Sequence, residues 1–145
     1  MANFINTVDV VGDELLTDSL ISRSVTEYKD DTVQTIGTRA FAECKSLVIV
    51  DTPALNEILM YAFNNCSNLT ALILRNVSKV ARLDDASSFN GSPIKTGTGY
   101  IYVPSALVDS YKSSVTWSTH AARFRVLEDY TVDGTTTGAL DESKI

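Results

Sequence analysis

The stretch Thr35-Ile36-Gly37-Thr38-Arg39-Ala40-Phe41-Ala42-Glu43-Cys44-Lys45-Ser46-Leu47-Val48-Ile49-Val50 falls on Glu57-Ile58-Leu59-Met60-Tyr61-Ala62-Phe63-Asn64-Asn65-Cys66-Ser67-Asn68-Leu69-Thr70-Ala71-Leu72 when the chain is shifted by 22 residues. The shift superposes Ile36 on Ile58, Ala40 on Ala62, Phe41 on Phe63, Cys44 on Cys66, Leu47 on Leu69 and Val50 on Leu72. Apolar matches held at one offset mark a structural repeat, and a unit this short cannot bury a core alone. Stacked units must supply the core, so the spacing predicts an α/β solenoid. Within each unit, Ala-Phe-x-x-Cys-x-x-Leu reads as a short helical or turn segment with its apolar side inward. A short strand follows, at Ile49-Val50 in one unit and Leu72-Ile73-Leu74 in the next. Neighbouring strands should pair in parallel about 4.8 Å apart, with Phe41 over Phe63 as an interior ladder.

Outward from this pair the pattern loosens. Val80, Leu83, Phe89, Ile94 and Ile101-Tyr102-Val103 form a third, longer unit, with the extra length at Asp84-Asp85-Ala86-Ser87-Ser88 and Gly97-Thr98-Gly99. Pro104-Ser105 ends the strand and starts a short helix over about 105–113, whose apolar side carries Leu107, Val108 and Tyr111. Trp117 precedes Ser118, the N-cap expected for a second short helix with Ala121, Ala122 and Phe124 inward, and Arg125-Val126-Leu127 reads as a returning strand. These residues should cover the open end of about three stacked units. The reading divides the chain into an N-terminal attachment or capping segment (1–31), repeats (32–103), a C-terminal cap (104–130) and a tail (131–145). The tail reads as loose or as a hairpin around Asp133-Gly134.

The 145 residues, 44% of them hydrophobic and 21% charged, suit one soluble domain with its own core. The net charge of -6 is unevenly spread: residues 1–31 carry seven acids against two bases, 32–127 six against nine, and 128–145 five against one. Such a balance disfavours tracking a phosphate backbone, so no nucleic acid is expected as partner. No basic and apolar leader opens the chain and no run of eighteen apolar residues occurs, so neither export by signal peptide nor membrane insertion is expected. Residues 1–31 nevertheless hold apolar clusters at Phe4, Ile5, Val8, Val10, Val11, Leu15 and Leu16. A segment serving solubility alone does not need them, whereas one docking on a partner buries them, with the surrounding acids setting register.

Residues able to carry chemistry are few. His120, the sole imidazole, lies in the expected cap without an acid partner in sequence, and reads as a partly exposed helix residue rather than a general base. Cys44 and Cys66 recur with the repeat and read as buried, apolar-like free thiols, with a ladder disulfide as the lesser alternative. Asp84-Asp85 and Asp129 with Asp133 lack the ligand series of a calcium loop and read as solvated acids. The glycines at 97 and 99 do not form a phosphate loop. Asn64-Asn65-Cys66-Ser67-Asn68 reads as the repeat's turn, its amides and hydroxyls bonding local backbone, and Tyr61 as an exposed contact. No catalytic residue, cofactor or metal is expected. The structural core is expected at Ile36, Phe41, Cys44, Leu47, Ile58, Phe63, Cys66, Leu69, Leu72, Phe89 and Trp117.

The Ile-Gly-x-x-Ala-Phe-x-x-Cys-x-x-Leu units at 36–47 and, with Leu59 in place of glycine, 58–69 resemble the BspA-like bacterial leucine-rich repeats. The run from Gly99 through Tyr100-Ile101-Tyr102-Val103-Pro104 to Tyr111-Lys112, with Trp117-Ser118-Thr119 and Glu128-Asp129-Tyr130, is similar to the cap of short versions found in phages and prophages of Gram-positive and gut bacteria. The resemblance spans residues 33–130. It implies a short leucine-rich-repeat stack and a surface-display or adhesion role without catalytic motif. Together with a short chain that begins at Met1 and lacks an export signal, it points to a phage virion protein. The expectation is a structural or decoration protein of capsid or tail, assembling with other virion proteins and with itself. The alternative is a receptor-binding or adhesin module at a bacterial cell surface or in the extracellular space, contacting a surface protein or glycan.

Overall fold

The computed structural model describes residues 23–145, together with the backbone of a strand at Val10–Val11. Each unit is too short for long elements, and the chain turns after two to four extended residues. Two all-parallel sheets result. One contains β1 (Val10–Val11), β3 (Thr35–Ile36), β5 (Glu57–Ile58) and β7 (Arg82–Leu83), in that spatial order. The other contains β2 (Glu27–Lys29), β4 (Ile49–Asp51), β6 (Ala71–Ile73), β8 (Tyr100–Val103) and β9 (Phe124–Val126). The register is that of the repeat: Thr35 opposes Glu57, Ile36 opposes Ile58, and Val50 opposes Leu72.

Both ladders start before residue 32, where the sequence reading began its repeats. Val10 opposes Thr35, and Tyr28 opposes Val50. Part of the 1–31 segment therefore belongs to the stack. Phe4, Ile5, Val8, Leu15 and Leu16 lie outside the described residues, as do the side chains of Val10 and Val11.

Between its two strands each unit makes a tight turn with residues in the left-handed region: Arg39 and Glu43 in one unit, Tyr61 and Asn65 in the next, all at φ of 57–64°. That conformation is uncommon outside glycine, though asparagine tolerates it. The turns are joined by backbone bonds of their own. Phe41 and Glu43 N–H donate to Ala62 and Asn64 C=O at 2.8 Å, and Phe63 and Asn65 N–H donate to Ser88 and Asn90 C=O at 2.8 and 2.7 Å. In the longer third unit glycine takes the left-handed place, with Gly91 at φ 77°, and a Cβ there would lie 2.3 Å from Asn65 Oδ1. At the other end Arg23 Nη1 donates to Ala40 and Ala42 C=O at 3.1 and 2.9 Å. These carbonyls correspond to Ala62 and Asn64, so a side chain occupies the place a turn's amides take one layer on.

Between the sheets runs one aromatic column. Phe41 and Phe63 stack with centroids 5.3 Å apart and an 8° interplanar angle, and Phe63 and Phe89 with 5.5 Å and 3°. Tyr28 meets Phe41 edge-on, and Trp117 lies 5.9 Å beyond Phe89. Ile36, Cys44, Leu47, Ile58, Cys66, Leu69 and Leu72 fill the column's surroundings, all fully buried. Neither cysteine is in a disulfide among the described residues. Cys66 Sγ donates to Phe41 C=O at 2.9 Å, and burial pushes its thiol up to about 12.

Residues 105–123 lie over Phe89. They comprise a 3₁₀ turn (Ser105–Leu107), a helix (Val108–Ser113) and a 3₁₀ segment (Trp117–Arg123). Two buried polar groups fasten them to the backbone of one residue: Trp117 Nε1 donates to Ala81 C=O at 2.7 Å, and Ala81 N–H donates to Tyr111 Oη at 2.8 Å. Ser118 is not an N-cap. That place falls to Thr116, whose hydroxyl donates to Leu83 C=O, and Phe124 leaves the helical segment to open β9.

Candidate functional site

The second sheet has an inner face on the aromatic column and an outer face that the chain's own tail partly covers. On the outer face the ladder aligns Glu27, Ile49, Ala71 and Tyr100 in one row and Lys29, Asp51, Ile73, Tyr102 and Arg125 in another. Leu127, Tyr130 and Leu140 pack on Ala71, Ile73 and Tyr102 to make a second, smaller core. The tail closes antiparallel at Thr131 and Leu140, and Asp133-Gly134 forms the bend between them, with Gly134 at φ 75°. Of the two sequence alternatives the hairpin-like one is present.

Arg75 is the tail's polar anchor. Its Nε and Nη2 pair with both oxygens of Asp51 at 2.9 Å, and Nη1 donates to Thr136 and Gly138 C=O. The two charged side chains are only 9% and 11% exposed. The tail returns over β2, β4 and β6 and so faces Glu27 and Asp31. Glu27 and Glu142 line one cleft of about 280 Å³ above Ile49 and Ala71, and Asp31 faces residues 137–139 across another of about 530 Å³. At the far edge Tyr100 carries two guanidinium groups, Arg125 at 3.3 Å and Arg123 at 4.9 Å from its ring centroid. The outer face thus carries both signs: Glu27 with Lys29 at β2, Asp51 with Arg75 in the middle, and Arg123 and Arg125 around Tyr100 at the far edge.

His120 departs from its sequence reading. It is buried, at 5% exposure, edge-on to Phe89 at 5.3 Å, because the 3₁₀ segment turns it inward beneath residues 86–90. Its imidazole bonds the Ala86 backbone, while Nε2 has no partner. Burial, and after it the charge of Lys95, hold its pKa below the ordinary histidine value. Among the described residues no carboxylate bonds the imidazole.

Other candidates are absorbed into the repeat. Asn65 Nδ2 donates to Glu43 Oε2 at 2.6 Å, and Asn68 Nδ2 to Lys45 C=O at 2.7 Å, so these amides bond the preceding unit rather than their own turn. Tyr61 is half-buried beneath Arg39, 4.8 Å from its centroid. Asp84 pairs with Arg82, and Asp85 accepts the Ser87 N–H. Among the described residues no group of three metal-ligating side chains occurs, and no helix is long and apolar enough to cross a membrane.

Parallel ladders with a buried, evenly spaced aromatic column define an α/β repeat protein of the leucine-rich kind. The family described as BspA type leucine-rich repeat region (6 copies) matches residues 7–103, and the chain belongs to it. The match begins within the first 31 residues, as the ladders do. No curated protein and no solved structure matches the chain. Such repeats suggest a protein-interaction or adhesion module, and the family is typically non-enzymatic.

Proposed function

We propose that the chain is a non-enzymatic structural or decoration protein of a phage particle, in capsid or tail. In this reading its N-terminal segment attaches to other virion proteins and the repeat stack, with a helical C-terminal cap, is displayed. The observation that carries the reading is the polarity of the stack. β1 and β2 start both ladders at the end where the chain begins, whereas Tyr111 and Trp117 cover the opposite end. In this reading the end that begins with β1 and β2, opposite the helical cap, is the one that meets neighbours, including further copies of the chain. The alternative, a receptor-binding or adhesin module, is favoured by the outer face of the second sheet, where Arg123 and Arg125 gather on Tyr100 and could meet a surface protein or glycan.

Deleting residues 2–20 would strip β1 from its ladder, so substitution is the sharper test. Phe4→Asp with Ile5→Asp, expressed in place of the wild-type gene during phage growth, should leave the urea melt of the protein unchanged and remove it from purified particles. Retention in particles would overturn the attachment reading. Absence of the wild-type chain from particles would overturn the virion reading itself.

A further inference from the structure

We propose that copies of this chain associate head to tail along the outer face of the second sheet, Arg123 and Arg125 of one copy docking on the cleft between Glu27 and Glu142 of the next. The proposal rests on the self-assembly expected in the virion reading and names the two surfaces that meet. They lie at opposite edges of one face. Glu27, Ile49, Ala71 and Tyr100 form a single row across β2, β4, β6 and β8, and the two arginines gather on Tyr100 at its far end. Three strand steps of about 4.8 Å separate Glu27 from Tyr100, so one copy does not close the contact on itself. A neighbour that continues the row brings its own Glu27 to the arginines.

Both guanidinium groups are held in place. Arg123 Nη1 donates to Gly97 C=O, and Arg125 bonds the Tyr102 hydroxyl while lying 3.3 Å from the ring centroid of Tyr100 and 5.5 Å from that of Tyr130. The two side chains are half-buried, and neither enters an ion pair among the described residues. Like charges kept on one ring repel, and carboxylates brought between them relieve that cost. The rings cover guanidinium faces and leave N–H edges, the geometry that grips a carboxylate. The opposite edge supplies carboxylates. Residues 27–31 and 141–144 hold five acids against two lysines, and Glu142 has no cation partner among the described residues. Glu27 meets Lys29 only at 3.7 Å, in a pair open to solvent. Between the two glutamates the cleft of about 280 Å³ is floored by Ile49 and Ala71 and flanked by Val48 and Ile145, apolar side chains that are 43% and 39% exposed. Tyr100 and Tyr130, half-buried beside the arginines, present apolar surface of their own to set against these two.

Sedimentation velocity of the full chain tests this. In dilute salt of about 0.01 M the weight-average coefficient should rise with protein concentration, and at about 1 M, where the screening length is about 3 Å, it should fall to the monomer value. Arg123→Gln with Arg125→Gln, and separately Glu27→Gln with Glu142→Gln, should each weaken association by about tenfold or more. The two glutamates touch no core residue through a hydrogen bond, so the thermal melt of their variant should overlay that of wild type. Each variant keeps one half of the contact. An equimolar mixture of the two should therefore recover a one-to-one complex and grow no further, the mark of a head-to-tail contact. A monomer at every concentration in dilute salt would overturn the proposal. So would association that the glutamate variant leaves unchanged, a mixture that forms no pair, or a monomeric chain whose arginines bind a hexaglutamate peptide, which would give that surface to a foreign acidic partner. Particle incorporation is read separately: a chain that associates yet is absent from purified particles defeats the virion reading alone, and a monomeric chain present in particles defeats this proposal alone.

Discussion

Phe63 stands at the middle of the aromatic column, and its removal tests the stacking directly. The side chain is fully buried, with Phe41 on one side at 5.3 Å and Phe89 on the other at 5.5 Å, both nearly parallel to it. Truncating a buried phenylalanine to alanine costs about 3–5 kcal/mol. Two features place Phe63→Ala near the upper end. It loses two aromatic pairs, each worth about 0.5–1.5 kcal/mol beyond area burial. The void also has little room to close, because backbone bonds from Phe41 to Ala62 and from Phe63 to Ser88 fix the spacing of the layers. Against a typical domain stability of about 5–15 kcal/mol, the variant should stay folded but melt at markedly lower urea. Equilibrium urea denaturation measures this, with an unchanged m-value showing that the same surface is exposed. Val115→Ala, at a side chain 90% exposed, is the control and should fall within about 0.5 kcal/mol of wild type. A loss below about 1 kcal/mol for Phe63→Ala would refute the column as the source of cohesion between layers.

Four further outcomes follow from single contacts. Trp117→Phe leaves Ala81 C=O without its buried donor and should cost about 1–3 kcal/mol in the same melt. Arg75→Met strands the Asp51 carboxylate in a nearly buried site, for a loss of about 3–5 kcal/mol, and should speed amide exchange at Val132 and Asp141, whose N–H groups bond within the tail. Gly91→Ala combines a left-handed φ with a Cβ driven against Asn65 and should destabilise by about 1–3 kcal/mol, read as a lowered thermal midpoint. Because the folded-state pKa of His120 is depressed, the unfolded chain binds its proton more readily. The His120 contribution should be complete above about pH 6.5 and fall with pH below that, by at most about 1.4 kcal/mol per pH unit, a dependence that His120→Gln removes from melts recorded across that range.

The repeat was legible because six apolar positions recur at one offset, and that offset is the hydrogen-bond register itself. The second strand of each unit was not. Thr35–Ile36 and Glu57–Ile58 are two residues long, and two residues carry no period of alternation. The left-handed turns were hidden for a different reason: Arg39, Glu43 and Tyr61 adopt a conformation that glycine usually signals. Their spacing held the only clue, since 39 and 61, and 43 and 65, share the repeat offset. His120 was misplaced because the sequence shows a polar residue in a short polar run, whereas Trp117 fixes the rotation of the 3₁₀ segment that carries it inward.

The same offset separates polar residues that hold the stack from those available for function. Gln34 with Asn56, Thr35 with Glu57, and Glu43 with Asn65 are each joined by a side-chain hydrogen bond across 22 residues. A polar side chain at such a position is committed to its counterpart in the adjacent unit, and mutating it perturbs a seam between layers. Lys95, Thr119 and His120 have no counterpart one period away, and they line a single cleft. Arg123 and Arg125 are likewise outside the period, and they converge on one ring. Where regular polar positions are used in stacking, the residues that break the repeat are the ones left to differ from unit to unit. Here those residues concentrate between 84 and 130, where the units lengthen and the helical segments fold over the column.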